Sequence, residues 1–374
     1  MTDDIKPIAI GIDKLRIGTR KPGPKTLKYA LGVCKDLRKA KEARTLSSKG
    51  GVHRYRYSVD VGDYGTIYVA FAPYRKEGGH PQFVFELNPN KLGKKGMAEA
   101  CVIIKEMLGP YFDNAIDGAF VTLIDYFADY PVKMQELFID MSRKESFGTW
   151  GKQFDGKFEI ETIYLGSGGS DGQVRAYDKA AEERAKASSK TAGGRLDPVY
   201  DATGKAIGCR MRVEARRLLA STPLNKIHLL ENPFARLKIA YIKDSAPEFQ
   251  NPLGRALLDS ARSLGWQVAL KRLKDEPSER KYRRAFTKHV CDWWKPDEAA
   301  VDVAVALLRL GLFASSSFDP RVQRTARGTP KSIVPTFDKA GLADYKKANP
   351  PSKKSKSSKG VENEDDEDLI TSFD

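Results

Sequence analysis

Several stretches of this chain alternate apolar and polar residues with a period of two, and that pattern alone confines much of the fold to pleated strands. "HRYRYSVDVGDYGTIYVAFAPY" alternates aromatic and β-branched residues on either side of Gly62-Asp63, and "PQFVFELNP" repeats the texture. "AFVTLIDYFADYP", "GKFEIETIYLGS", "DGQVRAYDK" and "IGCRMRVEARR" continue it. A helical stretch from about Ala98 to Leu108 and another over "VKMQELFIDMSRK" intervene. The expected class is therefore α+β, a largely antiparallel sheet with flanking helices. Near residues 220 to 230 the texture changes: "NKIHLLENPFARLKIAYI", "RALLDSARSLGWQVALKRL" and "DEAAVDVAVALLRLGLF" place apolar residues at helical spacing between Gly and Pro breaks. The expected organisation is a basic N-terminal arm or helix over 1–45, an α+β domain over 46–225, a smaller, mainly helical DNA-binding or accessory region over 226–335, and a tail over 345–374.

The charge balance bears on partners. Lys and Arg number 64 against 49 Asp and Glu, a net charge of +15, which favours a polyanion, with nucleic acid the first candidate. The tail does not supply that excess. It runs from a Lys-rich block, "KKANPPSKKSKSSKG", to the acidic "VENEDDEDLITSFD", a composition that cannot bury enough apolar surface to order itself. Two readings of it stand: a solvating tail, or an acidic tip whose Leu369, Ile370 and Phe373 dock on a basic groove. No run of about 18 apolar residues and no signal-like segment appears, so the expectation is a cytoplasmic protein without a membrane partner.

Cys34, Cys101, Cys209 and Cys291 form no CxxC pair, and His53, His80, His228 and His289 form no HxH or HExxH spacing. Zinc and disulfide frameworks are thus not indicated. The Gly-rich "GSGGSDG" at 166–172 fails as a phosphate loop, because GxGxxG would need glycine where Asp171 stands. "SFGTWGK" fails too, with Ser146 and Gln153 at the wrong places. A hairpin loop with residues at positive φ accounts better for the glycines. On the strand after it, alternation puts Gln173, Arg175, Tyr177 and Lys179 on one face. A phenol between two cations is a setting that favours phenolate and could hold a phosphodiester. A half-buried tyrosine with a hydrogen-bonded hydroxyl fits the same pattern.

Two more strands carry charge inside apolar alternation: "RMRVEARR" sets Arg212, Glu214 and Arg216 on one face, and "FVTLIDYFADYP" sets Asp125 and Asp129 on one face. Carboxylates there need either a cation or a metal. Asp125, Glu214 and Asp129 are the candidates for an oxygen-rich Mg²⁺ or Mn²⁺ site, and pairing with the nearby arginines is the other reading. Farther on, "RKYRRAFTKHVCDWWK" interleaves Lys281, Arg283 and Arg284 with Tyr282, Phe286, Trp293 and Trp294. Phosphate contacts with base stacking would produce that texture, and so would core aromatics on a basic helix.

"TLIDYFADY", "TIYLGSGGSDGQVRAYDKAAEE" and "RMRVEARR", in this order and spacing, resemble the three blocks of the Rep-trans type rolling-circle replication initiators. That family includes staphylococcal plasmid initiators, filamentous-phage initiators and related conjugative relaxases. The likeness spans residues 50 to 300 in layout and is specific in the three blocks. It implies that the α+β domain nicks one DNA strand, with Tyr177 as nucleophile and Arg175 and Lys179 as its phosphate-contacting neighbours. It also implies Asp125, Asp129 and Glu214 as metal ligands for Mg²⁺ or Mn²⁺, and a 5′-phosphotyrosyl intermediate that the freed 3′-OH can reverse. Leu123 stands where the family has Arg in its first block. The implied function is initiation of plasmid or phage rolling-circle replication. A conjugative relaxase, or a non-catalytic DNA-binding regulator of the same fold, are the alternatives. Implied partners are the double-stranded origin and the nicked single strand, contacted by Arg212, Arg216, Lys281, Arg283, Arg284, Trp293 and Trp294, with a host helicase or polymerase and a second copy of the chain as further candidates.

Overall fold

Among the described residues twelve strands are seen, and ten of them pair into a single sheet in the order β2-β3-β4-β5-β1-β6-β11-β10-β9-β8. They are β1 (Ala9–Thr19), β2 (Ala43–Thr45), β3 (His53–Val61), β4 (Gly65–Pro73), β5 (Phe83–Leu87), β6 (Ala119–Tyr130), β8 (Phe147–Phe154), β9 (Lys157–Leu165), β10 (Val174–Asp178) and β11 (Met211–Pro223). The remaining two, β7 (Leu137–Met141) and β12 (Leu237–Tyr241), pair with each other. In this computed structural model the described residues are 5–301, 303 and 307, except 21–22, 48–50, 75–79, 135–136, 142–143, 145, 155–156, 184–209 and 274–275. The 345–374 tail and residues 308–335 of the expected helical region lie outside them.

Every pairing in the large sheet is antiparallel, as the alternation required. The class is α+β. One face of the sheet is apolar: Leu15, Ile124, Val213, Ala176 and Ile163 are all buried and stand on neighbouring strands. Helices α1 (Pro24–Lys39) and α2 (Pro89–Leu108) lie at the β1 side of the sheet, where α2 packs on β1, β3 and β4. Helix α3 (Phe112–Asp117) is a short turn before β6. Farther along, α4 (Pro252–Leu264), α5 (Trp266–Lys271) and α6 (Glu276–Lys288) share a core with Phe138, Ala240 and Phe249. Ala261 and Trp266 of this cluster line a small cavity together with Phe147, Ile160 and Ile163 of β8 and β9.

Three expectations give way here. Residues 1–45 are not an arm: β1 lies inside the sheet, between β5 and β6, and only α1 answers the helical part. Its apolar Ile12, Leu15 and Ile17 are buried on the sheet, which holds the segment in place despite its flanking lysines and arginines. The "VKMQELFIDMSRK" stretch holds strand β7, whose five residues are all buried. A short, continuous apolar run reads equally as helix or strand, and here a partner strand decides. That partner, β12, arises within "NKIHLLENPFARLKIAYI", which holds a 3₁₀ turn (Leu224–Leu229) and a strand rather than a helix.

Candidate functional site on the polar face of the sheet

The opposite face of β6, β11 and β10 carries the charged residues, and strand register sets who meets whom. Tyr177 stands opposite Arg212, and Arg212 opposite Asp129. One pleat away, Arg175 stands opposite Glu214, and Glu214 opposite Phe127. Arg216 stands opposite Asp125. The hairpin before β10 is made as the glycines suggested: Gly166, Gly169 and Gly172 all adopt positive φ (87°, 74° and 68°), where a side chain would be strained. Asp171 ties this loop to β11, its Oδ1 accepting from the Leu218 N–H at 2.9 Å and from Arg217 Nε at 3.2 Å.

At the centre, the Tyr177 hydroxyl donates to Glu214 Oε1 at 2.5 Å, while Arg175 Nε donates to Glu214 Oε2 at 2.5 Å. Tyr177 is only 8% exposed and Glu214 only 4%. The guanidinium of Arg175 and the ammonium of Lys179 flank the phenol ring at 5.3 and 5.6 Å from its centroid. The expected cations are therefore in place, yet the phenol is not activated by them. Burial first, and the Glu214 carboxylate second, push its ionisation well above the ordinary tyrosine range. Burial likewise raises Glu214, against the pull of Arg175 and the Tyr177 hydroxyl. The resting state is a neutral phenol hydrogen-bonded to a carboxylate, not a phenolate.

The other charges form a second, buried layer. Arg212 donates from Nε and Nη2 to both oxygens of Asp129 at 2.6 and 2.9 Å, and from Nη1 to Asp13 Oδ2 at 2.6 Å. Its guanidinium also covers the Phe127 ring at 4.1 Å. Burial opposes its charge, but the Asp129 and Asp13 carboxylates outweigh that and hold it protonated. Arg216 grips Asp125 through two hydrogen bonds of 2.8 Å each. Lys179 pairs with Glu182 at 2.5 Å, in the helical residues 179 to 183.

Asp13 was invisible to the sequence reading. The pairing of β1 with β6 slips between Ile12 and Lys14, so Asp13 is the extra residue of a β-bulge. A bulge breaks the alternation and re-aims a side chain, which is how a carboxylate from an apolar strand comes to meet Arg212. A run of apolar residues interrupted by adjacent Asp13 and Lys14 was the available signal.

The acids do not assemble as a metal-ligand set. Among the described residues no group of three or more His, Cys, Asp or Glu could hold an ion. Asp125 and Asp129 each face an arginine through two oxygens, and Glu214 has Arg175 and Tyr177 on its own. The residues as placed do not fit the expected Mg²⁺ or Mn²⁺ site, because each carboxylate is turned to its own arginine or tyrosine partner and the three do not converge on one point.

The expected DNA contacts separate into three places. Arg212 is 6% exposed and committed to two carboxylates, so it faces inward. Arg216 keeps 31% side-chain exposure beside Asp125. Lys281, Arg283 and Arg284 are exposed on α6, with Arg283 paired to Glu279 one turn earlier at 2.6 Å. Trp293 and Trp294 are buried, at 7% and 5% exposure, with ring centroids 4.9 and 5.5 Å from Tyr130. The Trp294 indole N–H donates to the Leu237 carbonyl at 2.9 Å. That pair is core: both rings are buried beside Tyr130 and the Trp294 N–H is satisfied inside the protein, so neither ring is presented to bases.

No described helix is long and apolar enough to cross a membrane. No family model matches the sequence, and no curated protein does. Among solved structures, the chain is similar to a rolling circle replication initiator protein from Geobacillus stearothermophilus, at 12% identity and a TM-score of 0.35 over 65% of this chain and 90% of that one.

Proposed function

We propose that this protein is a DNA strand-nicking and rejoining enzyme that starts rolling-circle replication of a plasmid or phage, with Tyr177 as the nucleophile. The observation that carries the reading is the Tyr177–Glu214–Arg175 constellation: a buried phenol hydrogen-bonded to a carboxylate whose second oxygen is held by an arginine with 44% side-chain exposure. A nucleophile, a base oriented by a third group and a cation with a solvent-facing side beside them are the parts that transfer to a phosphodiester requires. The three sequence blocks that resemble Rep-trans initiators place this same tyrosine at their centre.

The chemistry runs through the side chains. Tyr177 Oη forms a bond to phosphorus as its proton passes to Glu214 Oε1, so no free phenolate is needed at a site that disfavours one. The exposed end of Arg175 takes up the charge growing on the phosphoryl oxygens. The P–O3′ bond breaks, the leaving 3′ oxygen takes a proton from solvent, and the 5′-phosphate remains esterified to Tyr177. Return of the 3′-OH reverses each transfer, with Glu214 giving the proton back to the phenol. Asp129, Asp13 and Arg212 hold the floor beneath this pair, and Arg216, Lys281, Arg283 and Arg284 supply backbone phosphate contacts.

The test is a covalent adduct. Supercoiled DNA carrying the replicon's origin, incubated with the protein in Mg²⁺, in Mn²⁺ and in chelator, is expected to yield nicked circles and an SDS-stable protein–DNA adduct. Tyr177→Phe should form neither. An adduct that persists in Tyr177→Phe would remove the nucleophile assignment, and origin binding without nicking under every condition would favour the DNA-binding regulator.

A further inference from the structure

The row of residues that contains Tyr177 continues past the site. Thr162 on β9 stands opposite Tyr177, and Trp150 on β8 stands opposite Thr162. The adjacent row runs from Arg175 to Tyr164 and then to Gly148. All of these side chains therefore project from the face that carries the site. Trp150 is 66% exposed and Tyr164 is 37% exposed. A side chain added at Gly148, which stands opposite Tyr164 and two residues before Trp150, would meet nothing within 4 Å, so the sheet surface beside both residues is open there. On the reverse face of the same two strands Phe147, Ile160 and Ile163 line a small cavity together with Ala261 and Trp266, so that face turns to the helical cluster.

Two aromatic rings beside open sheet surface, two strand spacings or about 10 Å from the nucleophile, are a surface that stacks flat apolar rings. The exposed guanidinium of Arg175 at its inner edge, on a chain of net charge +15, selects a ligand with phosphates between those rings. We infer that Trp150 and Tyr164 form a base-stacking platform for the unpaired nucleotides beside the scissile phosphate, so that single-stranded DNA crosses β10, β9 and β8 in that order. This rests on the nicking reading only for where the strand ends. Paired bases could not use the platform, because their ring faces are already stacked on one another.

Fluorescence reads this surface directly. The other three tryptophans, Trp266, Trp293 and Trp294, are buried at 2%, 7% and 5% exposure, so quenching by a ligand reports on Trp150. Addition of an oligo(dT) strand to the full chain is expected to quench the emission, and the matched dT·dA duplex should quench far less. Trp150→Leu should abolish the quenching and weaken oligo(dT) binding, followed by anisotropy, about tenfold. Tyr164→Leu should weaken it similarly while the Trp150 emission remains, and Trp150→Phe should restore part of the affinity. Quenching that survives Trp150→Leu, equal quenching by duplex, or a concentration-dependent self-association that Trp150→Leu removes would each overturn the platform. A Tyr177-dependent adduct without any oligo(dT) quenching would overturn it while leaving the nicking reading intact. Quenching without an adduct would support the platform and sink the nicking reading instead.

Discussion

Two parts of this molecule interleave cations with aromatics, and the structure treats them in opposite ways. On β8 to β10 the rings of Trp150 and Tyr164 stand in the open beside Arg175, although the sequence around them carries no concentrated basic run. In residues 280 to 295 the basic run is dense, yet Tyr282, Phe286, Trp293 and Trp294 are all buried while the cations face solvent. Helix α6 separates its faces by periodicity, so Tyr282 and Phe286 turn to a core while its arginines stay outside, and Trp293 and Trp294, beyond the helix, are buried beside Tyr130. An edge strand has one face on the core and one outside, and whatever alternates outward has nothing to cover it. Local texture is therefore a poor guide to which aromatics meet a ligand, and position in the sheet is a better one.

That contrast can be broken most forcefully at Trp294. Trp294→Ala should lower stability by about 3–5 kcal/mol in chemical denaturation, since it opens a cavity against Tyr130 and Phe234 and removes the hydrogen bond to Leu237. A loss under about 1 kcal/mol would show that the pair is not core. Trp150→Leu, by comparison, should leave stability within about 0.5 kcal/mol of the parent.

A smaller effect separates the buried acid of the sheet from the exposed charges of α6. Glu214 holds its proton more tightly in the folded protein than at its ordinary 4.5, mainly through burial. Its contribution to stability is fully present below that ordinary value and is lost as pH rises through the raised folded value, because the folded state binds more protons than the unfolded chain across that window. Glu214→Gln stays neutral throughout, so its stability should fall less steeply over the same window. Parallel curves for the variant and the parent would mean that Glu214 does not titrate as a buried group.

The smallest effect belongs to Arg283, whose pair with Glu279 is half-exposed and one helical turn apart. Arg283→Ala should change stability by no more than about 0.5 kcal/mol. If α6 lies on DNA, the same variant should also lower the slope of log affinity against log salt by about 0.9. An unchanged slope would take Arg283 out of the interface and leave the polar face of the sheet as the better candidate.

Much of the site was legible before any coordinates. Alternation placed Tyr177 and Arg175 on one strand face, whereas Lys179, expected on the same strand, falls just past its end in the helical residues 179 to 183, and the glycines of the 166–172 loop announced a turn. The charged sets on β6 and β11 were likewise visible as costly interruptions of apolar strands. The reactive state of the phenol was not legible, because it depends on Glu214, a residue 37 positions away that the pairing of β10 with β11 brings to 2.5 Å. Nor was Asp13, because a bulge breaks the very alternation by which faces are read. β7 was misread as helix since a run of five buried residues carries no period of its own.

The amino-acid sequence by itself determined the strands, the hairpin and the chemical inventory of the polar face, because side-chain alternation and glycine's access to positive φ are local properties of the chain. The tertiary structure decided which acid meets which arginine, that Tyr177 rests as a neutral phenol, and that Trp150 rather than Trp293 or Trp294 is open to a ligand. Those outcomes follow from strand register and burial, and both are set by residues far apart in the chain, where no local pattern can fix them.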